Sequence, residues 1–204
     1  MILTPSTACS RSDESCLPRF ECTRCGSCCR DRQILVTVTS NDIIRISKAL
    51  ELIPSEILRA LDFYIVEPGT SPPVGLEKIP YITTERGQAY VALKKLENGD
   101  CIFLKDNECM IHPVRPRVCK SFPFVFNETD GKRSWGLSAK KEICPGLGKG
   151  VRISANELGS LAIEILQDFE NYRKFADWWN SSSTSFTALA FIDEVFSIGR
   201  RISK

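Results

Sequence analysis

Cysteines account for most of the chemistry that this sequence could perform. Four of them lie close together in the run Cys22-Thr-Arg-Cys25-Gly-Ser-Cys28-Cys29. A C-x-x-C step allows a tight turn to direct two sulfur atoms at one metal ion, and two successive steps direct three. Four more candidate ligands follow along the chain: Cys101, Cys109, Cys119 and Cys144. The pattern predicts a metal centre with thiolate ligands.

The spacing of the first four cysteines favours an iron–sulfur cluster. Bacterial ferredoxins bind a [4Fe–4S] cluster with C-x₂-C-x₂-C and a remote cysteine that precedes proline. Cys22, Cys25 and Cys28 match the first part, and Cys144-Pro145 matches the remote pair. Gly26 gives the loop the conformational freedom that such wrapping requires. We therefore expect each of the three loop cysteines to bind one iron, with Cys144 or Cys119 completing the shell.

Cys29 complicates a single site, because adjacent residues rarely direct both side chains at one centre. It could bind a second metal, or it could be a redox thiol beside the first. Eight cysteines divide into two four-thiolate centres, but they also permit one centre with spare thiols. Zinc in a Cys₄ shell is common as well. The alternatives are therefore an iron–sulfur cluster, a zinc ion, or one of each.

The N-terminal segment bears on whether these cysteines are ligands or disulfides. The chain has 204 residues, 10 of them cysteine, and a net charge of +2. Its start lacks the basic segment and apolar run of a secretion signal, and no stretch approaches the roughly 20 apolar residues of a membrane helix. We therefore expect the reducing cytoplasm and no membrane, where such spacings indicate metal binding. Cys9 and Cys16 lie outside the tight pairs, and we interpret them as incidental thiols.

Two arginines lie beside candidate ligands. Arg30 directly follows Cys29, and Arg115-Pro116 lies between two of the later cysteines. Thiolate shells around zinc or an oxidised cluster are negatively charged, so nearby guanidinium groups would stabilise them and raise a cluster's reduction potential. We interpret both arginines as cofactor-binding. His112, the only histidine, precedes proline among eight available thiols, which favours a surface or packing role. No catalytic residue is identifiable.

Four separated blocks together resemble a known family. They read C-x-x-C-G-x-C-C-R, C-x-F-L, C-x-I-H-x-x-R-P-x-x-C-x-x-F-P-F and C-P-G, in this order over roughly residues 20–150. In them the chain is similar to the YkgJ-type CxxCxxCC proteins, described as a zinc- or iron-chelating domain and loosely as iron–sulfur oxidoreductases. The matching positions are Cys22, Cys25, Cys28, Cys29, Cys101, Cys109, Arg115, Pro116, Cys119, Pro123 and Cys144.

The resemblance implies a metal-binding fold without implying a particular reaction. Flagellin lysine methylases are similar in the cysteine motif, but this chain has no glycine-rich methyl-donor loop after a strand. A role as an accessory to protein methylation is therefore a weaker alternative, as is the capture and delivery of metal.

Short local signals predict the elements that position the cysteines. Alternating apolar residues over 33–38 predict a strand, Thr39 with Asp42 predicts a helix start, and Ser55 predicts the cap of a second short helix. Asn98-Gly99 predicts a hairpin between residues 90–96 and 101–104. Asp130-Gly131 predicts a second hairpin between residues 122–127 and 133–137.

Helical patterns occupy the last quarter of the chain. Ser154 with Glu157 resembles a capping box, apolar residues follow at helical spacing, and a last helix is expected around 186–196. Trp178-Trp179 is interpreted as core packing. We expect an α+β fold: a poorly ordered lead-in (1–19), a cysteine-rich metal-binding domain of small hairpins and loops (20–150), and a C-terminal helical segment packed on it (151–204).

The leading hypothesis is a cytoplasmic protein that holds a [4Fe–4S] cluster and acts in redox chemistry or as a subunit of a redox enzyme. Its partner, a redox protein or another protein, is not identifiable from the sequence. The alternative is a zinc-stabilised interaction module without catalysis. Because no basic stripe is interleaved with aromatic residues, nucleic-acid binding is disfavoured.

Overall fold

Helices and small antiparallel sheets build the chain, which confirms the α+β class. The computed structural model describes residues 17–67, 69, 76, 79–182 and 185–202; Cys9, Cys16 and the rest of residues 1–16 lie outside the described residues. The helices are α1 (Ser27–Arg30), α2 (Ser40–Ala49), α3 (Pro54–Leu58), α4 (Arg117–Ser121), α5 (Ala155–Ser182) and α6 (Ala188–Ile202). The strands are β1 (Arg19–Phe20), β2 (Leu61–Ile65), β3 (Ile82–Thr84), β4 (Gly87–Leu93), β5 (Leu104–Lys105), β6 (Glu108–Cys109), β7 (Phe124–Thr129), β8 (Lys132–Leu137) and β9 (Leu147–Arg152).

A three-stranded sheet with the order β2-β4-β3 lies at the centre of the fold. Strand β4 pairs with β2 from Leu61↔Leu93 to Ile65↔Ala89, and its side chains are buried from residue 89 to 93. The predicted strand over 33–38 is reduced to one bridge, Thr37↔Ala92. Burial on both faces of β4 explains its near-continuous apolar sequence, since only one face of an exposed antiparallel strand would be apolar.

Helix α2 begins with the predicted capping box. The Thr39 hydroxyl accepts the amide of Asp42, and the Asp42 carboxylate accepts the amide of Thr39 at 3.0 Å. The prediction that Ser55 caps the next helix is wrong: α3 begins at Pro54 with Ile53 as its cap. Proline at the first helical position needs no amide partner, which explains this earlier start.

Helices α5 and α6 follow the predicted patterns and pack on the sheet. Ser154 and Glu157 exchange the hydrogen bonds of a capping box at the start of α5. Trp179 is only 2% exposed and lies edge-on to Phe191, as expected for core packing, whereas Trp178 is 44% exposed. No helix in the described ranges combines the length and apolarity that crossing a bilayer requires.

Buried side chains form two separate hydrophobic clusters. The larger, called the major core here, joins the β2-β4-β3 sheet to helices α2, α3, α5 and α6 and includes Phe191, Tyr172 and Ile46. The smaller, called the minor cluster, consists of Leu17, Phe124 and Leu158 with aromatic residues packed around them. It lies beneath β1 and the β7–β8 hairpin, so each cluster supports a different part of the cysteine-bearing chain.

The two predicted hairpins differ in outcome. Strands β7 and β8 pair from Phe124↔Leu137 to Thr129↔Lys132 around Asp130-Gly131, which confirms that prediction. Both turn residues have positive φ, as a two-residue hairpin turn requires. The hairpin around Asn98-Gly99 forms just beyond β4 and is short. It has the bridge Lys95↔Cys101, and backbone hydrogen bonds join Leu96 to Asp100 at 2.8 Å and Ile102 to Lys94 at 3.0 Å.

Candidate metal centre

The loop from Cys22 to Cys29 turns sharply at Gly26 and ends in helix α1. Gly26 has φ +73°, and its carbonyl accepts the amides of Cys29 and Arg30 at 2.9 and 3.1 Å. This positive φ lies in the left-handed region, where a residue with a Cβ atom is strained, so the tight turn favours glycine. The turn leaves Cys22 and Cys25 exposed and places Cys28 and Cys29 in half-buried positions.

A short strand pair brings the remote Cys144 region beside this loop. Strand β1 pairs with β9 through Arg19↔Arg152 and Phe20↔Leu147, and the Glu21 amide donates to the Gly146 carbonyl at 3.2 Å. A Cβ atom at Gly146 would lie 2.1 Å from the Glu21 carbonyl oxygen. The glycine of the C-P-G block is therefore required by the close approach of two backbone segments.

The other three cysteines lie in separate segments, one of which is hydrogen-bonded to the loop. The Cys101 amide donates to the Cys29 carbonyl at 2.8 Å. Cys109 pairs with Leu104 in the β5–β6 hairpin, and Cys119 lies in α4. Helix α4 is fixed from two sides, since the Asp42 carboxylate accepts the Arg117 amide at 3.1 Å and Glu164 forms ion pairs with Arg117 and Lys120.

Packing divides the eight cysteines into two groups of four. Cys101 is 6% exposed and belongs to the major core, and three half-buried cysteines pack against that core: Cys29, Cys109 and Cys119. We call these four the core-facing set. The other four, called the surface-facing set, are Cys22, Cys25, Cys28 and Cys144; two are exposed and two half-buried. Within the described residues, none of the surface-facing set packs against either cluster.

Cys28 is the electrostatic neighbour that the other thiols share. A hydrogen bond from the Cys29 thiol lowers the pKa of Cys28 to about 7, and the charges of Lys95 and Arg115 also lower it. The same hydrogen bond raises the pKa of Cys29. Burial is the main cause of the raised pKa values of the four remaining buried or half-buried cysteines, and the negative charge of the Cys28 thiolate raises each value further. These four are Cys101, Cys109, Cys119 and Cys144. Metal binding must therefore displace protons from most of these thiols.

Backbone amides donate to several of the sulfur atoms. The amide of Ser27 donates to Cys25, that of Phe103 to Cys101, and that of Ile111 to Cys109. Cys144 accepts from the amides of Gly146 and Leu147. A donor two residues after the cysteine recurs in all four cases. Such bonds favour the thiolate form, which is the form that binds metal. Both cysteine sets contain members with this preorganisation.

The cationic neighbours include one residue that sequence reasoning missed. Lys95 donates through Nζ to the carbonyls of Cys29 and Asp31, both at 3.0 Å. It lies two residues beyond the end of β4, in phase with the buried Val91 and Leu93, and a lysine in the phase of buried strand residues is a signal that could have identified it.

The two predicted arginines differ in position. Arg115 lies close enough to lower the pKa values of Cys28 and Cys109. Arg30 instead donates to the Cys25 carbonyl at 3.1 Å and contacts the Asn107 side chain, so it braces the loop backbone. His112 is half-buried beside the Arg115 guanidinium, and burial followed by the charges of Arg115 and Arg24 lowers its pKa.

The donor set fits a thiolate-bound metal, although the shell is not preformed. All eight cysteines are free thiols. Among the described residues, no three cysteine, histidine or carboxylate side chains already stand where they could hold one ion. The Cys28–Cys29 hydrogen bond occupies two of the thiols in the meantime. Soft sulfur donors in this number select zinc or iron–sulfur clusters over calcium or magnesium.

Comparisons with known proteins agree with this donor set. The family model CxxCxxCC, described as a "putative zinc- or iron-chelating domain", matches residues 21–145, more than half of the chain. The chain is also 28% identical over 115 residues to the uncharacterized protein MJ0661 of Methanocaldococcus jannaschii. That match covers 55% of this chain and 49% of the relative, so the chain spans about half the length of the curated relative. No solved structure matches.

Proposed function

Since the chain belongs to the CxxCxxCC family, we propose that it holds a [4Fe–4S] cluster and transfers electrons through it to a redox partner. Membership indicates a metal-binding chain in general. The choice of an iron–sulfur cluster is supported by the three-cysteine loop, whose spacing suits a cubane, and by the chemistry of four sulfur donors on one side of the molecule.

The observation that carries the proposal is the juxtaposition of the loop with Cys144. Three of the surface-facing cysteines lie within residues 22–28, and the β1–β9 pair with the Glu21–Gly146 hydrogen bond brings the fourth alongside them. The Cys28 thiolate and Cys22 both raise the pKa of Cys144, although burial has the larger effect, so these three lie within electrostatic reach of one another. Cys144 is therefore the favoured fourth ligand, in preference to Cys119.

Exposure and charge support a redox role for this cluster. Cys22 and Cys25 are exposed, so the cluster would lie near the surface, where a partner protein could approach it. Lys95 and Arg115 would offset the charge of the thiolate shell, and positive charge near a cluster raises its reduction potential. Arg30 would act indirectly by holding the carbonyl of Cys25 and thereby the shape of the loop.

Elemental analysis of anaerobically purified protein tests the proposal. We expect equal amounts of iron and labile sulfide, with broad visible absorption that bleaches on reduction. Cys144→Ser should remove most of that absorption, because it removes a ligand. Cys9→Ser, outside the matched motif, is the control and should retain it. A colourless protein that contains zinc and no labile sulfide would overturn the proposal.

A further inference from the structure

Positive charge is concentrated on the two segments that carry the surface-facing set. Residues 17–25 and 138–152 together contain six Lys or Arg but only two acids, Glu21 and Glu142, whereas the whole chain has 27 Lys and Arg against 25 Asp and Glu. The rest of the chain therefore has more acidic than basic residues. All six cations are exposed, and we call them the basic patch: Arg19, Arg24, Lys140, Lys141, Lys149 and Arg152.

We propose that the basic patch is the docking surface for an acidic protein that carries a one-electron centre and exchanges electrons with the proposed cluster. The inference rests on the proposed function, because it names the class of redox partner for that site. Three of the six cations lie outside residues 21–145, which the family model matches. Membership of the family alone therefore does not give this surface.

Short contacts join the basic patch to the segments that bear the surface-facing cysteines. The Cys144 amide donates to the Lys140 carbonyl at 2.9 Å, and Arg24 lies within the loop of the first three cysteines. A Cβ atom at Gly148 would lie 3.0 Å from Lys141 Nζ, so this ammonium group lies beside strand β9. A partner that docks on the basic patch would therefore approach the proposed cluster closely.

Two arginines of the basic patch face each other across the β1–β9 pair. Arg19 is paired directly with Arg152, and like charges in such opposite positions are destabilising. Backbone carbonyls hold both guanidinium groups in place, since Arg19 donates to Gly150 at 2.9 Å and Arg152 donates to Leu17 at 2.7 Å. The repulsion gives the fold no stability, whereas an anionic partner would relieve it.

An apolar residue within the basic patch favours a protein as the partner. Val151 lies between two of the cations on β9 and is 77% exposed, the highest value among the large apolar side chains that the structure describes. Protein interfaces combine an apolar centre with a polar rim, and those of redox encounters are small. Phe20, the one aromatic residue of the two segments, packs edge-on against Phe124, so no exposed ring is provided for the stacking of nucleic-acid bases.

Cytochrome c and its succinylated form are matched probes of this surface, because succinylation replaces lysine ammonium groups with carboxylates around the same haem. The full-length protein is reduced with dithionite, freed of excess reductant and mixed with each ferric carrier in a stopped-flow instrument; each haem gains one electron and the reduced cluster loses one. We expect the acidic form to be reduced at least about 10-fold faster than the native form at low ionic strength. The two rates should converge as salt is added, since screening shortens the range of charge interactions.

Charge reversal locates the surface on the molecule. Lys141→Glu combined with Lys149→Glu should slow the reduction of the succinylated carrier at least several-fold and weaken its dependence on salt. Lys48→Glu combined with Lys174→Glu makes the same change of net charge on helices α2 and α5, and it should leave the rate close to that of the wild type. Equal effects of the two double variants would overturn the docking surface, because net charge alone would then explain the rates.

Val151→Ser tests the apolar centre separately from the charges. The side chain is largely exposed, so the fold should lose little stability. The affinity for succinylated cytochrome c, measured by thermophoresis, should fall several-fold with an unchanged dependence on salt. An affinity equal to that of the wild type would overturn the assignment of Val151 to the docking surface.

Binding and electron transfer together separate this inference from the proposed function. A colourless zinc protein whose affinity for the succinylated carrier falls in the Lys141→Glu, Lys149→Glu variant would overturn the cluster and keep the docking surface for an acidic protein. A protein with an intact cluster that reduces both carriers equally fast at low ionic strength would overturn the docking surface and keep the cluster. Equally tight binding of a short DNA duplex would also overturn the docking surface, because the basic patch would then be a nucleic-acid site.

Discussion

The two cysteine sets use the same donor atom but are held in different ways. The surface-facing set depends on backbone contacts: a glycine turn at Gly26, a two-strand ladder, and a glycine at residue 146 that allows two segments to approach. The core-facing set depends on side-chain packing, because its members lie in or against the major core. The difference indicates that the core-facing positions are fixed by folding itself, whereas the surface-facing positions are fixed by a short and locally supported segment.

The supports of the two sets differ in size as well. The minor cluster beneath β1 and β7–β8 has three buried residues, Leu17, Phe124 and Leu158, whereas the major core extends through the sheet and the helices. Burial of apolar area is the dominant stabilising contribution in folding. Regions with few buried contacts open at lower free energy than the rest of a protein. We therefore expect loss of the cluster to loosen its surroundings without unfolding the sheet and long helices.

The largest expected effect comes from emptying the major core. Phe191 is fully buried and contacts Phe63, Phe175 and Trp179. Phe191→Ala should lower the free energy of unfolding by about 3–5 kcal/mol, through lost burial and the cavity that remains. Denaturant unfolding followed by tryptophan fluorescence measures it. Leu189→Ala, at a residue that is 45% exposed on the same helix, is the control and should change stability far less.

The iron content of the Phe191→Ala protein sharpens the comparison. Measured well below its melting midpoint, the variant should still bind iron and sulfide, because residues 22–28 and the β1–β9 pair are not among the described residues of the major core. Loss of iron under conditions where the sheet remains folded would show that the surface-facing set depends on the major core, and would break the distinction drawn here.

The second largest effect on stability is expected from a buried carboxylate, Asp42, which accepts a hydrogen bond from the first residue of α4. Asp42 is fully buried, and desolvation raises its pKa from 3.8 to about 6 despite the opposing charge of Arg45. The folded state therefore binds a proton more readily than the unfolded state between about pH 4 and 6, so this residue's contribution to stability becomes more favourable as the pH falls through that window. A shift of about two units corresponds to roughly 3 kcal/mol.

Asp42→Asn removes this titration and provides the measurement. Unfolding of both proteins at matched pH values between 4 and 7 should show the stability difference moving in favour of the wild type as the pH falls. Effects common to both, including proton-linked loss of metal, cancel in the difference. A difference that stays constant across this range, or that moves against the wild type at low pH, would contradict the assignment.

Local signals in the sequence predicted the elements that are formed by neighbouring residues. The capping boxes at Thr39 and Ser154 and the Asp130-Gly131 turn are each complete within a few residues, so a short window contains the physical cause. The β2-β4-β3 sheet was missed because its pairs, such as Leu61↔Leu93, join distant positions. Leu61 also fits a helical pattern, and the non-local pairing overrode that pattern.

The cysteines follow the same rule. Spacing alone singled out the three-cysteine loop and the remote Cys-Pro, because those features reflect local chain geometry. The division into core-facing and surface-facing sets was not predictable, since it depends on which thiols reach the major core after the sheet and helices have packed. The position of Lys95 is also set by packing, through the continuation of β4 toward Cys101.

Substitution of the glycine in the C-P-G block, Gly146, tests whether the close approach of two backbone segments supports the surface-facing set. Gly146→Ala would place Cβ at 2.1 Å from the Glu21 carbonyl, so β1 must separate from the chain at 146. We expect about 1–3 kcal/mol of local destabilisation and loss of most of the iron and sulfide, while the central sheet and the long helices remain folded. Gly159→Ala is the matched control, because its Cβ would meet nothing within 4 Å; alanine there should favour helix α5 by about 0.5–1 kcal/mol. Equal iron contents in the two variants would contradict this account.

The smallest expected effect concerns the ion pairs that fix α4 around Cys119. Glu164 pairs with Lys120 at 2.6 Å and also with Arg117, and its side chain is 35% exposed. Because solvent screens such pairs, Glu164→Gln should lower stability by only about 0.5–1 kcal/mol, less at high salt. The substitution should also make α4 looser, so we expect iodoacetamide to label Cys119 faster than in the wild type while the rate of iron loss stays unchanged.

Glu170→Gln is the matched control on the same helix. Its partners Arg173 and Lys174 lie 3.8 and 3.7 Å away and are more exposed, so the change should have little effect on stability and none on the labelling of Cys119. If iodoacetamide labelled Cys119 at the same rate in both variants, the ion pairs of Glu164 would not be what holds α4 and Cys119 in place. The core-facing set would then rest on the major core alone, and its contrast with the backbone-held surface-facing set would become sharper.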